Sequence, residues 1–263
     1  TKNSLDYGVI SNGVTLDFTK VQARKNTIVE KLFNGIQYLM KKGKIDVYNG
    51  TGRILGPSIF SPMSGTVSVE MNDGSENELL LPKNVIIATG SRPRLIPGLE
   101  IDGENILTSD EALELENLPK SLLIVGGGVI GIEWASMMSD FGVNVTVVEF
   151  AVTILPTEDE EIAKEMQRLL KKKNVTVVTN AKLLPETLVK NGEQISINVN
   201  IDGVEKTFST EKMLVCVGRL ANVEGIGLEN TEIIIKSGYI ETNKYYQTKE
   251  SHIYAVGDCI GGL

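Results

Sequence analysis

The stretch Leu122-Leu123-Ile124-Val125-Gly126-Gly127-Gly128-Val129-Ile130-Gly131 constrains the fold more than any other part of the chain. Its four apolar residues read as a strand covered on both faces, and Val129–Phe141 after the glycines reads as a helix. Gly126, Gly128 and Gly131 stand at the spacing G-x-G-x-x-G. The first permits a tight turn, the second lets the backbone approach a pyrophosphate, and the third lets helix and strand pack closely. A helix N-terminus adds amide donors for phosphate oxygens. The next apolar run, Val143–Val148, ends at Glu149, 21 positions after Gly128. A carboxylate there accepts hydrogen bonds from both hydroxyls of an adenosine ribose. It would repel a 2′-phosphate, which needs an arginine nearby. The six arginines (Arg24, Arg53, Arg92, Arg94, Arg168 and Arg219) all lie outside the loop 150–157. NAD is therefore expected in preference to NADP.

The flanking pattern supports this reading. Thr157-Glu158-Asp159-Glu160 has capping-box spacing and predicts a helix running to about Lys173, followed by a strand at Val175–Val178. The order β-α-β-α-β implies a parallel sheet. The period then changes to two. Leu183–Val189, Ile195–Ile201 and Val204–Phe208 alternate, with Asn191-Gly192 and Asp202-Gly203 as turns, which predicts an antiparallel meander. Leu214–Val217 returns as a buried strand. The fold class is thus α/β, a Rossmann-like NAD-binding domain whose parallel sheet carries an antiparallel meander.

Upstream, Val21, Ile28, Leu32, Phe33, Ile36, Leu39 and Met40 predict one helix over 20–42, stopped by Gly43. Strands are expected at Ile45–Tyr48, Thr66–Met71 and Val85–Thr89, with a bend at Gly50-Thr51-Gly52 and a turn at Asn72-Asp73-Gly74. Ser91–Gly98 reads as an extended linker, Thr108–Glu111 as a capping box opening a short helix, and Ile253–Val256 as a last strand.

The chain has 263 residues, 41% of them hydrophobic, which is ample for a sizeable core. Its 26 Lys+Arg against 34 Asp+Glu give a net charge of -8, the wrong balance for neutralising nucleic-acid phosphates. Lys41-Lys42 and Lys171-Lys172-Lys173 fall at helix ends, where cations complement the dipole. No apolar run approaches membrane-spanning length, so neither nucleic acid nor membrane is an expected partner. Two cysteines 43 positions apart form no disulfide framework, which makes a reducing cytoplasm the default expectation. The chain opens on Thr1 rather than Met and stops at Gly261-Gly262-Leu263, so it reads as a piece of a longer one.

Four segments taken together are more specific than any one. They are Ala88-Thr89-Gly90-Ser91, the glycine turn through Glu133, Val217-Gly218-Arg219 and Tyr254-Ala255-Val256-Gly257-Asp258. In this order and spacing the chain resembles the flavoprotein disulfide reductases, a family of pyridine nucleotide-disulfide oxidoreductases. Lys42–Tyr48 and Pro57–Pro62 are similar to the bacterial branch that serves branched-chain 2-oxo acid dehydrogenase complexes.

The resemblance implies an FAD-dependent enzyme that oxidises protein-bound dihydrolipoamide and passes the electrons to NAD. It implies a homodimer bound to the dihydrolipoamide acyltransferase core of a 2-oxo acid dehydrogenase complex. Residues 1–113 would be part of an FAD-binding domain, 114–220 the NAD-binding domain, and 221–263 the return of the first. Gly126, Gly127, Gly128, Val129, Ile130, Gly131, Ile132 and Glu133 would carry NAD, with Ile130 and Glu133 near the nicotinamide. Glu149 would hold the ribose, Leu183 would pack on the adenine, and Gly218-Arg219 would sit where the two cofactors meet. Gly52 would present its backbone to the flavin adenine, Thr89, Gly90 and Ser91 would lie between the nucleotides, and Asp258 would bind the ribityl chain of FAD. Val129 occupies the position where NADP-linked glutathione reductases commonly place an aromatic gate.

Three parts of the family's machinery have no counterpart in this sequence: a first glycine finger for FAD, a Cys-x-x-x-x-Cys pair and a His–Glu base. Cys216 reads as a buried strand residue, Cys259 as a loop residue, and His252 opens a strand with no glutamate at helical spacing. No catalytic residue and no metal site is expected here, and FAD is not expected to be retained. Two alternatives stay open: another disulfide reductase or NADH oxidase of the same architecture, and a non-catalytic NAD-binding module.

Overall fold

A computed structural model describes residues 13–57, 59 and 64–262. The stretch 57–62 quoted above lies largely outside them. Helix α1 (Phe18–Gly43) opens with the Asp17 carboxylate accepting from Lys20 N–H and closes with Lys41 and Lys42 in its last turn. The expected strand at Ile45–Tyr48 does not form. The strand starts instead at the expected bend, as β1 (Gly50–Leu55), paired antiparallel with β2 (Thr66–Met71) in register Gly50↔Met71 to Leu55↔Thr66. The reason is close cross-strand approach: a Cβ on Gly50 would lie 2.3 Å from the Glu70 carbonyl oxygen. Strand β3 (Glu78–Leu80) joins β2 beyond the turn at Gly74.

Strand β4 (Val85–Ile87) is shorter than expected and is not covered on both faces, since Ile86 is 66% exposed. It pairs in parallel with the segment Ile253–Ala255. The expected linker at Ser91–Gly98 begins as a strand, β5 (Ser91–Pro93).

From here the chain builds its largest sheet. Strand β6 (Ile106–Leu107) leads into α2 (Ser109–Ala112), opened by the expected capping box of Thr108 and Glu111. Then follow β7 (Ser121–Val125), α3 (Val129–Asp140), β8 (Asn144–Val148), α4 (Glu160–Lys172) and β9 (Thr176–Val178). The cap of α4 is Asp159, not Thr157: the Asp159 carboxylate accepts from the N–H groups of Glu161 and Ile162. The meander is β10 (Ala181–Asn191), β11 (Gln194–Ile201) and β12 (Val204–Thr210), followed by β13 (Lys212–Val215).

The parallel sheet runs β6-β13-β7-β8-β9. Successive strand residues feed opposite faces. Ile124, Val145, Val147 and Leu214 pack against Ala135 and Met138 of α3 and Ala163 and Leu170 of α4. Leu123, Val125, Met213 and Val215 pack against Ile195, Ile197 and Val199 of the meander.

The remaining strands are short: β14 (Arg219–Ala221), β15 (Ile235–Lys236), β16 (Tyr239–Ile240) and β17 (Ile253–Ala255). β14 pairs with β5, β15 with β16, and β17 runs parallel to β4.

Two compact units result. One comprises Leu95–Gly218 with the described residues up to Asn34, and the other Gly35–Arg94 with the described residues from Arg219. Residues 95–113, placed on sequence with the FAD-binding part, belong to the glycine-turn unit. Leu99 and Ile106 are in its core, and β6 is hydrogen-bonded to β13.

Candidate functional site: a glycine turn and a nucleotide-sized cleft

The three fingerprint glycines have three different physical reasons. Gly126 sits at φ +108°, and a Cβ there would lie 2.2 Å from the Cys216 carbonyl oxygen, so turn and strand β13 meet only without a side chain. At Gly131 a Cβ would lie 2.0 Å from the Gly126 oxygen, which sets how closely α3 approaches the turn. Gly128 is the opposite case. A Cβ there meets no protein atom within 4 Å, so the missing side chain leaves open space rather than relieving a clash.

That space belongs to a cleft of about 480 Å³. Val125 at the end of β7 and Gly126 and Gly128 on the turn border it, as do Val148 at the end of β8 and Glu149, Phe150 and Pro156 after it. Leu183 and Lys182 line it from β10, and Cys216, Val217 and Gly218 from the end of β13. Gly128 is the N-cap of α3, no side chain caps that helix, and its first turn holds no acidic residue. The first amides of α3 are therefore donors that no side chain of the helix start neutralises. The open space at Gly128 and the uncapped helix start are the features a dinucleotide needs.

Glu149 is bound tightly into the turn. Gly127 N–H donates to its Oε2 (2.5 Å) and Ala151 N–H to its Oε1 (2.7 Å). Leu155 N–H in turn donates to the Gly127 carbonyl at 2.8 Å, which draws the loop after Glu149 against the glycines. The other expected NAD residues divide. Val129 is 51% exposed at the start of α3, and Ile130 is half-buried against the α3 side of the core. Ile132 is buried in that core and its N–H donates to the Gly128 carbonyl, so its side chain is a packing residue. Glu133 lies outside the cleft, in a groove with Ser136, Met137 and Asp140. Phe150, Pro156 and Lys182 border the cleft and were missed on sequence. Only Phe150 carries a signal, an aromatic residue directly after the acidic strand end, and it is 75% exposed.

In the other unit three motif residues form a chain of hydrogen bonds. Arg219 Nε–H donates to Ser91 Oγ (2.7 Å), Ser91 O–H donates to Asp258 Oδ2 (2.5 Å), and Arg219 Nη2–H donates to the Ser91 carbonyl (2.9 Å). They line a cleft of about 440 Å³ with Tyr239, Tyr246 and Gly257. Thr89 is tied to Asn222 instead: its hydroxyl donates to the Asn222 carbonyl, and Asn222 Nδ2–H donates to the Thr89 carbonyl. Gly90, at φ +66°, receives the Asn222 N–H on its carbonyl. Gly52 lies within β1, opposite Val69, and not along this cleft. Asn222, which holds Thr89 and Gly90 in place, carries no signal that sequence reasoning used.

Both cysteines are free. Burial pushes the Cys216 thiol up to about 12, so it stays protonated at neutral pH. Cys259 is buried and its thiol faces the Val256 carbonyl. The His252 ring lies 2.5 Å from the Ser64 carbonyl beside Gly65. Among the described residues no group of three or more His, Cys, Asp or Glu could hold a metal ion, and no helix is long and apolar enough to cross a membrane.

The sequence profile of pyridine nucleotide-disulphide oxidoreductases matches residues 5–263. The chain belongs to that family. Among curated relatives, the dihydrolipoyl dehydrogenase of Bacillus subtilis is 64% identical over 98% of this chain and 54% of its own length. That of Acholeplasma laidlawii is 38% identical over 99% of this chain and 73% of its own. Among solved structures, LpdA of Mycobacterium tuberculosis superposes with a TM-score of 0.85 at 28% identity, covering 96% of this chain and 54% of that one. The HOCl-induced flavoprotein disulfide reductase RclA of Escherichia coli gives 0.78 at 26% identity, over 94% and 54%. The chain thus spans about half the length of most of the relatives it matches. This family membership fits the α/β architecture found here.

Proposed function

We propose that this chain is the NAD-binding part, with part of the FAD-binding part, of a dihydrolipoyl dehydrogenase. In the whole enzyme protein-bound dihydrolipoamide is oxidised and NAD takes up the electrons. The observation that carries the reading is the Gly126–Gly131 turn facing a cleft that Glu149 lines, within a chain 64% identical to a dihydrolipoyl dehydrogenase. In this reading the α3 amides hold the pyrophosphate, Gly128 leaves it room, and Glu149 takes the ribose diol. Leu183 walls the adenine, and Gly218 closes the far end.

A flavin, when bound in the whole enzyme, relays electrons between a disulfide and the nicotinamide. Of the residues present, Asp258, fixed by Ser91 and Arg219, fits a polyol chain, and Gly52, Thr89 and Gly90 would add contacts along the flavin. The chain alone does not retain FAD in this reading, because the described residues hold no second glycine turn for its adenosine half. The whole enzyme works as a cytoplasmic homodimer on an acyltransferase core, and neither membrane nor nucleic acid takes part.

Calorimetric titration tests the nucleotide assignment. NADH should bind more tightly than NADPH, since losing charge-assisted hydrogen bonds to the diol costs about 1.5–3 kcal/mol each. Equal affinities would remove Glu149 from the ribose. The visible spectrum tests the flavin assignment, because a flavin band near full occupancy would show that a single glycine finger suffices.

A further inference from the structure

Glu149 is held from two directions. The Gly127 amide takes one carboxylate oxygen and the Ala151 amide the other. A carboxylate has about four lone-pair sites, so each oxygen keeps one for a further donor. The peptide of Gly127 is fixed in turn by Leu155 N–H on its carbonyl, and Ile154 and Leu155 are buried beneath it. A side chain anchored in this way does not swing aside without taking the acceptor away from two backbone amides at once. A free glutamate at a strand end would turn towards solvent at little cost.

We propose that the Gly127 and Ala151 amides are the specificity-determining positioning groups of the nucleotide cleft. They orient Glu149 so that one acceptor site per oxygen meets a cis-diol, and they prevent the retreat that a 2′-phosphate would require. This rests on the nucleotide reading above and goes beyond it. Charge on Glu149 alone disfavours a phosphate; the backbone clasp makes the rejection rigid. The ligand class is a dinucleotide with an unsubstituted adenosine ribose.

Two variants separate the clasp from the charge. Glu149→Asp keeps the charge but is too short to reach both amides. Ala151→Pro keeps Glu149 and removes one donor. In each, NADH affinity should fall while NADPH affinity holds or rises, so that the NADH:NADPH preference drops at least tenfold. In the ligand-free chain, the Gly127 N–H should exchange with solvent at least tenfold faster in Glu149→Asp than in the starting protein. A merely structural role would lower both affinities equally and leave their ratio unchanged, which overturns the proposal. So does unchanged Gly127 exchange in Glu149→Asp. If the chain binds neither nucleotide, the underlying reading fails, and amide exchange at Gly127 still decides whether the clasp exists.

Discussion

The two units start from similar ingredients and reach different degrees of order. Each contains short apolar strands that end at a glycine, β7 at Gly126 in one and β17 ahead of Gly257 in the other. In the glycine-turn unit these strands join a sheet of five, with helices on one face and the meander on the other, and Ile124, Leu123, Met213 and Leu214 are at most 1% exposed. In the second unit β4 and β17 form a parallel pair of their own, and Ile86 is 66% exposed although its neighbours Ile87 and Ile253 are buried. Among its described residues the second unit otherwise has a three-stranded sheet and two further pairs, around a smaller core that includes Ile54, Ile233, Ile240 and Cys259. Apolar composition does not bury a strand; hydrogen-bonded neighbours and covering layers do.

The largest expected effect comes from breaking the better-built unit. Gly131→Leu should cost more than about 4 kcal/mol, because the new side chain would start 2.0 Å from the Gly126 oxygen, and thermal melting reads the loss. An unchanged melt would mean that the approach of α3 to the turn does not hold this unit together.

Hydrogen exchange sharpens the comparison directly. Amides of β7 and β13 should exchange roughly a hundredfold more slowly than those of β4 and β17, since a two-stranded parallel pair opens locally at low cost. Equal protection would show that the second unit is as cooperative as the first.

Gly128→Ala separates binding from stability. With no protein atom within 4 Å of the new methyl, melting should stay within about 0.5–1 kcal/mol of the starting protein. NADH affinity should fall roughly tenfold or more, which is about 1.4 kcal/mol, because the methyl enters the pyrophosphate space. If Gly128→Ala proves more damaging to the fold than Gly131→Leu, the fingerprint has been misplaced.

The smallest effect lies at Asp102. Burial works to raise its pKa, but the Lys190 ammonium and the amides of Ile106, Glu104 and Asn105 outweigh it and hold the carboxyl at about 2. A depressed carboxyl stabilises the fold fully above its unfolded pKa, and that stability is lost as the pH falls through the folded one. The window is therefore about pH 4 down to pH 2. The contribution, on the order of 1 kcal/mol after allowing for solvent screening, should vanish from acid titrations of Asp102→Asn. An unaltered acid limb in that variant would detach this ion pair from the stability of the glycine-turn unit.

Much of the architecture was legible because it depends on periodicity and on glycine. The apolar runs at 122–125 and 143–148, the period-two segments after 181 and the spacing of Gly126, Gly128 and Gly131 specify strands, meander and turn locally. The errors fell where pairing decides. Gly50–Gly52 reads as a bend by composition, yet β2 offers it a partner, and at Gly50 that partner's backbone approaches too closely for a side chain. Ser91–Pro93 reads as a linker until Arg219–Ala221 comes to lie beside it.

The sequence by itself determined the α/β order, the glycine turn and the acidic residue at the second strand end. Each follows from residue type within a short window, where steric rules act between neighbours. Only the tertiary structure decided that both oxygens of Glu149 are held by backbone amides, that Ile132 serves the core, and that Arg219, Ser91 and Asp258 form one chain of hydrogen bonds. Those partners are separated by up to 167 positions along the chain. A hydrogen bond acts over about 3 Å, so its partners are named only once strand register has brought distant segments together.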